Sequence, residues 1–359
     1  MTKRLAWIVG ILIVFGLIML SSAGVVEGQK RFGDPNYFIR HQFLFGVLPG
    51  LVAMYLFSRL NYQFWRKISL FFLVSAFILT ALVFLPGFGI VLNGARSWLS
   101  FGGYTFQPVE VLKLALIVYL AAWCCGRDER VRKWSYGITP FLIVMGVAGA
   151  LLIFQPDIGG LILISAIGLG VYFLAGVPMR DLAIVVMVGL VVVAGMVALE
   201  PYRLNRIKVF IDPSIDPRGI SYQVNQSLIA IGSGGLFGVG YGDSTQKTGF
   251  LPEAIGDSIF AIIAEELGLV GSLFVVGLFL ALCHTLVIIA KRSGDRFGRL
   301  YVLGVAVWIT SQAFVNMAAV SGVAPLTGLP LPFISYGGTA MITLLAALGI
   351  VFNVAKQSE

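Results

Sequence analysis

Apolar runs long enough to cross a bilayer recur from one end of this chain to the other, separated by short polar stretches. A hydrocarbon core takes roughly 20 helical residues, which places about ten spans. Their cores lie near residues 5–25, 41–60, 67–86, 107–126, 137–155, 158–177, 181–199, 258–290, 299–320 and 336–355. The predicted class is all-α: a polytopic membrane protein, read as one integral unit over 1–359. The eighth run is longer than a bilayer needs and is expected to project beyond it. Met1-Thr2-Lys3-Arg4 before the first run resembles a signal-peptide start, but the run to Val26 is long for one, so an uncleaved first helix is expected. Between 321 and 336, Pro325, Pro330 and Pro332 with Gly322 and Gly328 break the helical pattern. An irregular connection packed against protein or water is expected there.

One segment breaks the pattern altogether. From about 200 to 256, between the seventh and eighth spans, the chain turns polar and rich in turn residues. It carries Tyr202-Arg203-Leu204-Asn205-Arg206, Asp212-Pro213-Ser214-Ile215-Asp216-Pro217-Arg218-Gly219, Tyr222-Gln223 and Gly232-Ser233-Gly234-Gly235. Leu251-Pro252-Glu253-Ala254-Ile255-Gly256-Asp257 then leads into a long apolar helix holding Glu265 and Glu266. A polar insert between membrane helices is where chemistry is expected.

Composition sharpens this. Hydrophobic residues make up 58% of the 359, and charged residues only 12%, about half the usual share of a soluble domain. The net charge of +8 is spread over short loops rather than one face, which argues against nucleic acid as a partner. Lys and Arg concentrate in alternate loops: Lys3 and Arg4; Arg59, Arg66 and Lys67; Arg127, Arg130, Arg132 and Lys133; Arg180; Lys291, Arg292, Arg296 and Arg299; and Lys356. That bias assigns both termini to the cytoplasm and the large insert to the outer face of the cytoplasmic membrane. Cys124, Cys125 and Cys283 then fall toward the cytoplasmic side and read as reduced packing residues. Two histidines, His41 and His284, are too few for a zinc or haem site.

The candidate chemistry is ionic. Arg96, Arg203 and Arg206 are outer-face cations, suited to lipid phosphates singly and to an anionic membrane-bound substrate as a group. Glu110 and Lys113 stand three residues apart within the fourth span, where neither would stay charged alone. They read first as a structural pair that also shapes a cavity. Asp157 either caps the sixth span or lines that same cavity. Asp257 precedes a helix, so capping is its ordinary reading. Its direction coincides within about 40° with Ala261, Ala264, Gly268 and Gly271, a smooth strip suited to a lipid tail or a close helix contact. Glu265 and Glu266 point elsewhere, roughly 12 Å deeper, and belong to a separate network. A lone carboxylate flanked by cations suits transfer from a lipid-phosphate donor: the carboxylate takes a proton, and a pyrophosphate departs as an anion. A divalent cation, magnesium or manganese, would share in stabilising that leaving group. The sequence names no ligands for it, since Asp212 and Asp216 each precede proline and read as turn residues.

Several separated motifs carry a resemblance. They are Gly94-Ala95-Arg96-Ser97-Trp98, Phe106-Gln107-Pro108-Val109-Glu110-Val111-Leu112-Lys113, Gln155-Pro156-Asp157 and Asp216-Pro217-Arg218-Gly219-Ile220-Ser221-Tyr222-Gln223. The stretches from Ser227 to Gly235 and from Leu251 to Asp257, Ala264-Glu265-Glu266-Leu267-Gly268 and Pro330-Leu331-Pro332-Phe333-Ile334-Ser335-Tyr336-Gly337-Gly338 complete the set. Together and in order, nearly end to end, they make the chain resemble the SEDS family of peptidoglycan glycosyltransferases typified by FtsW and RodA. The run from Gly238 to Ser244 with Gln246-Lys247 is closer to the FtsW branch. The resemblance implies an inverting glycosyltransferase using lipid II as donor and acceptor, in cell division or shape. Asp257 matches the family's essential aspartate, and Glu110, Lys113 and Asp157 match cavity positions. Ser335 lies in the family's late Ser-Tyr-Gly-Gly motif. It also implies a class B penicillin-binding protein as partner, within a division or elongation complex. One departure stands out: Ile255-Gly256-Asp257-Ser258 replaces the family's usual His-Thr-Asp-Phe, so the carboxylate lacks a histidine neighbour. The rival readings are a flippase or transporter for lipid-linked precursors, which needs a polar path to the cytoplasmic face, and a scaffold acting through its partners.

Overall fold

A computed structural model describes residues 1–92, 95–102, 104–125, 138–199, 205 and 208–358. Every expected span falls on a helix. In chain order these are α1 (Thr2–Ala23), short α2 (Val25–Phe32), α3 (Tyr37–Gln42) continued through a π turn into α4 (Leu48–Arg59), and α5 (Tyr62–Ala81). They continue with α6 (Pro108–Cys125), α7 (Ile138–Phe154), α8 (Ile158–Leu174) and α9 (Met179–Leu199). After α10 (Tyr222–Gly234) come α11 (Ile259–Arg292), α12 (Arg296–Val320) and α13 (Gly338–Gln357). Among the described residues, seven helical stretches are long and apolar enough to cross a membrane, and α7 and α8 are shorter apolar helices. Helices suit this setting because each satisfies its own backbone groups where no water can.

The most enclosed helices mark the centre. Of their apolar windows, 72% of α6, 61% of α12 and 78% of α13 is buried, against 28% for the stretch containing α5, whose Phe71 and Ile78 face outward. α12 packs on α6, α8 and α11, and α13 packs on α4. All three cysteines are free thiols.

Two features depart from the expected pattern. The first is a small antiparallel sheet, β1 (Gly89–Leu92), β2 (Ala95–Phe101) and β3 (Tyr104–Phe106), in that order. Ile90 faces Trp98 and Leu99 faces Phe106 in register. The Asn93-Gly94 pair between β1 and β2 is a hairpin signal that the span pattern concealed; those two residues lie outside the described ones.

The second concerns the over-long eighth span. α11 is two helices joined at Gly268, whose φ of 65° and ψ of −161° are not helical. The extra length is its first section, which lies against α10 rather than projecting alone. A break of this kind leaves backbone groups unsatisfied, and the insert fills them. Val239 and Gly240 N–H donate to the carbonyls of Glu265 and Glu266, at 2.9 and 3.1 Å. The N–H groups of Leu269 and Val270 donate to the carbonyls of Gly235 and Leu236, at 3.0 and 3.2 Å. The insert is therefore threaded between helices, about 14 Å along α11 from its first residue, and is more than an outer loop. The supposed strip for a lipid tail is this contact. Ala261 and Ala264 are buried, and a Cβ on Gly268 would sit 2.4 Å from the nitrogen of Gly238.

The backbone of Gly268 occupies a region open essentially to glycine alone. Gly268→Ala should destabilise the protein by several kcal/mol, about 3 or more. Gly277→Ala, on the same helix with nothing within 4 Å of the added methyl, should be neutral or slightly stabilising. Thermal unfolding of the two variants in detergent checks this; equal melting temperatures would show that the break does not depend on glycine.

Candidate functional site

Asp257 lies in a turn before α11, not on the helix. The N-cap position of the helix is Ser258, whose side chain makes no capping bond. Gly256 and Ser258 N–H both donate to the carbonyl of Glu253, which itself sits at a φ of 51°. The Asp257 side chain is half-buried. Its Oδ1 accepts from Gln223 Nε2 at 3.3 Å and from Ser258 Oγ at 3.4 Å. Gln223 also donates to Ser258 Oγ at 3.1 Å.

The turn is clamped from below. Asn316, on α12, donates from one amide nitrogen to the carbonyls of Asp257 and Leu329, both at 2.7 Å. Ser335 Oγ donates to the carbonyl of Gly256 at 2.6 Å and accepts from Leu331 N–H at 2.8 Å. Tyr336 N–H donates to the carbonyl of Ile255 at 2.9 Å. The Tyr336 hydroxyl shares a hydrogen bond with His41 Nδ1 at 2.9 Å. The irregular connection expected at 321–336 is thus the platform that fixes the backbone beside Asp257. Leu329, Leu331, Phe333 and Ile334 bury it against the helices.

Glu110 and Lys113 form the expected ion pair, 2.7 Å apart, with residues only 3% and 1% exposed. Lys113 lies 5.0 Å above the Trp308 ring and contacts Gln312 Oε1 at 3.4 Å. Gln312 accepts from Trp308 Nε1 at 2.9 Å and donates to the carbonyl of Pro330 at 2.8 Å. The pair therefore supports the same Pro-rich connection that holds Asp257, through a neighbour of Asn316 one turn away. Asp157 caps α8, accepting from Gly160 N–H at 2.7 Å. That helix start abuts the carbonyl of Thr327 beside Gly159.

Arg96 sits on β2 with its guanidinium against the carbonyl of Leu85, at 3.5 Å, and the structure does not bring it to Asp257. Arg203 and Arg206 lie outside the described residues. Glu265 and Glu266 form their own network, as their directions implied. Thr245 N–H donates to Glu265 at 2.9 Å, and Ser244 Oγ binds the same carboxylate. Glu266, fully buried, meets Lys247 Nζ at 2.7 Å and Ser22 Oγ at 2.6 Å. Gln223, Gln312, Asn316 and Lys247 were not assigned from sequence. Gln312 and Asn316 carried a signal all the same: two amides four residues apart in an apolar span. Among the described residues no group of three His, Cys, Asp or Glu side chains could hold a metal ion.

A cavity of about 260 Å³ is lined by Gln223, other residues of the insert and the 322–326 connection.

Residues 3–359 match the family model described as cell cycle protein, of FtsW, RodA and SpoVE. The chain is 39% identical to the probable peptidoglycan glycosyltransferase FtsW of Trichlorobacter lovleyi, covering 95% of this chain and 89% of that one. It is 36% identical to stage V sporulation protein E of Bacillus subtilis, covering 97% and 95%. Among solved structures it superposes on a chain of a peptidoglycan synthase complex that coordinates polymerization and crosslinking. The TM-score there is 0.82, with 31% identity over 99% of this chain and 97% of that one. The rod shape determining protein RodA of Thermus thermophilus gives 0.72 with 28% identity, over 98% and 96%.

Breaking the buried pair should cost more than removing it. Lys113→Met strands the Glu110 carboxylate and should destabilise by about 3–5 kcal/mol. Adding Glu110→Gln should recover much of that loss. A double-mutant cycle by thermal or chemical unfolding in detergent checks the coupling; additive losses would show that the two charges do not depend on each other.

Proposed function

The chain belongs to the FtsW, RodA and SpoVE family and is a multi-pass peptidoglycan glycosyltransferase; from that premise we propose that Asp257 is its general base. The donor and acceptor are lipid II. An acceptor sugar hydroxyl attacks the anomeric carbon of the donor. The new C–O bond forms as the bond from that carbon to the phosphate oxygen breaks on the opposite face, inverting the configuration. The hydroxyl proton passes to the Asp257 carboxylate. Undecaprenyl pyrophosphate leaves with the bonding electrons as an anion, so no acid partner is required.

The observation that carries this reading is that the turn presenting the Asp257 carboxylate is fixed through its main chain, the carbonyls of Ile255, Gly256 and Asp257 each accepting a hydrogen bond from residues 316–336. Neutral donors on Oδ1, from Gln223 and Ser258, orient the carboxylate. Its Oδ2 faces Gly328, where a Cβ would lie 3.9 Å away. Arg203 and Arg206 in the insert are our candidates for meeting the pyrophosphate charge. Every step here runs through protein groups; a divalent cation would add charge stabilisation at the pyrophosphate. The transporter reading finds little support, because Glu110 and Lys113, the buried charges of the fourth span, are closed on each other and on Gln312.

We place the protein in the cytoplasmic membrane with both termini inside and the face carrying Asp257 outside, on the loop charge bias. A class B penicillin-binding protein is the partner we assign, within a division complex. The solved synthase complex that joins polymerization to crosslinking supports a cross-linking partner. The FtsW branch is favoured because a relative of that name reaches 39% identity, whereas the RodA structure reaches 28%.

Asp257→Asn preserves the shape of the side chain and removes the base. Purified, folded variant supplied with lipid II should polymerise about 100- to 10,000-fold more slowly than wild type. A rate within a few-fold of wild type would place the base elsewhere.

A further inference from the structure

The hydrogen-bond ladder of α11 begins at Ser258, whose carbonyl takes the N–H of Ala261 at 2.9 Å. The Asp257 carbonyl lies just outside that ladder and needs its partner from elsewhere. Asn316 of α12 supplies it at 2.7 Å, and the same amide nitrogen reaches the Leu329 carbonyl at 2.7 Å. One NH2 group thus uses both hydrogens to join two stretches of main chain. The first belongs to the base. The second adjoins Gly328, which is exposed, has a φ of 70°, and would place a Cβ 3.9 Å from Asp257 Oδ2. Asn316 therefore fixes the Asp257 backbone and also its separation from the connection that passes beside the carboxylate.

Its side chain is poorly suited to a purely structural task. Asn316 is only 1% exposed, and its Oδ1 is buried with no hydrogen-bond partner among the described residues, a state that costs stability. Gln312, one turn earlier on the same helix, engages both ends of its amide. Its Nε2 donates to the Pro330 carbonyl, and its Oε1 meets Trp308 Nε1 and Lys113 Nζ. At 316 an apolar side chain of similar size would remove the orphaned oxygen but lose both donors. A gain in geometry set against a cost in stability is expected where function, rather than packing, governs the choice. We propose that Asn316 is a positioning residue for Asp257, holding the base where its carboxylate meets the acceptor hydroxyl. The inference rests on Asp257 as the base. The attacking oxygen must lie about 3–3.5 Å from the carbon it attacks while within hydrogen-bond reach of the base. A shift of the Asp257 main chain therefore slows turnover of bound substrate more than it weakens binding.

Purified full-length protein supplied with lipid II tests this. Asn316→Leu, and the smaller change Asn316→Ala, should lower kcat about 10- to 100-fold and leave KM within about threefold of wild type. Tyr301→Phe is the control on the same helix. It also removes a buried side-chain bond to a main-chain carbonyl, that of Ala347 at 3.0 Å, and should keep kcat within about twofold. Melting curves in detergent check that each protein is folded at the assay temperature. A second arm places Asn316→Leu in Asp257→Asn. Because Asn316 acts through the carboxylate, the slow residual rate of Asp257→Asn should fall by no more than about twofold. Wild-type kcat in folded Asn316→Leu, a loss carried by KM alone, an equal loss of kcat in Tyr301→Phe, or losses that multiply in the double variant would each overturn the proposal. Wild-type activity in Asp257→Asn would sink the base assignment itself, a result distinct from each of these.

Discussion

A membrane helix cannot be interrupted unless something else satisfies its backbone, and the break at Gly268 is where this protein meets that demand. The carbonyls of Glu265 and Glu266 and the N–H groups of Leu269 and Val270 all find partners in residues 235–240. An unsatisfied group at that depth costs several kcal/mol, so the insert and α11 hold each other in place. The side chains reinforce it. Glu265 is bound by Ser244 and the backbone of Thr245, and Glu266 by Lys247 and Ser22 of α1. One short polar segment is thereby fixed to two membrane helices. From this anchor the insert carries α10 upward along the first section of α11, which sets Gln223 beside Asp257.

The second support comes from the opposite side and is independent of the first. α12 presents Gln312 and Asn316 one turn apart to the non-helical connection before α13, and that connection presents Ser335 and Tyr336 to the turn at 255–257. Carbonyls of residues that cannot be helical, Leu329 and Pro330, become acceptors for amides that would otherwise be buried and unsatisfied. The Glu110–Lys113 pair belongs to this support, since Lys113 reaches the same Gln312. This accounts for an ion pair in an apolar centre without giving it a part in the reaction: it orders the layer beneath the site.

The helices were legible because a bilayer imposes one length and one polarity on each of them. The Glu110–Lys113 pair was legible because two opposite charges three residues apart in an apolar run have few other options. The β hairpin at 89–106 was hidden, since its apolar strands resemble the end of a span. Asp257 could be chosen from the sequence, but its local context argued for a cap. The fold places the N-cap position one residue later, at Ser258, with α11 beginning at Ile259. Gln223 could not be chosen at all. Its importance depends on α10 running alongside α11, and nothing in the periodicity of either segment records that pairing.

A general base must be both held and exposed, and the two requirements conflict. On a helix, Asp257 would gain rigidity, but its carboxylate would be drawn toward the free N–H groups of the first turn. Placing it one residue ahead puts Ser258 at the N-cap position. The turn then needs other fixation, and it receives it through the main chain: the carbonyls of Ile255, Gly256 and Asp257 each accept a bond from residues 316–336. Fixing the backbone rather than the side chain leaves the carboxylate to be tuned by what touches it. Among the described residues those contacts include the amide of Gln223 and the hydroxyl of Ser258.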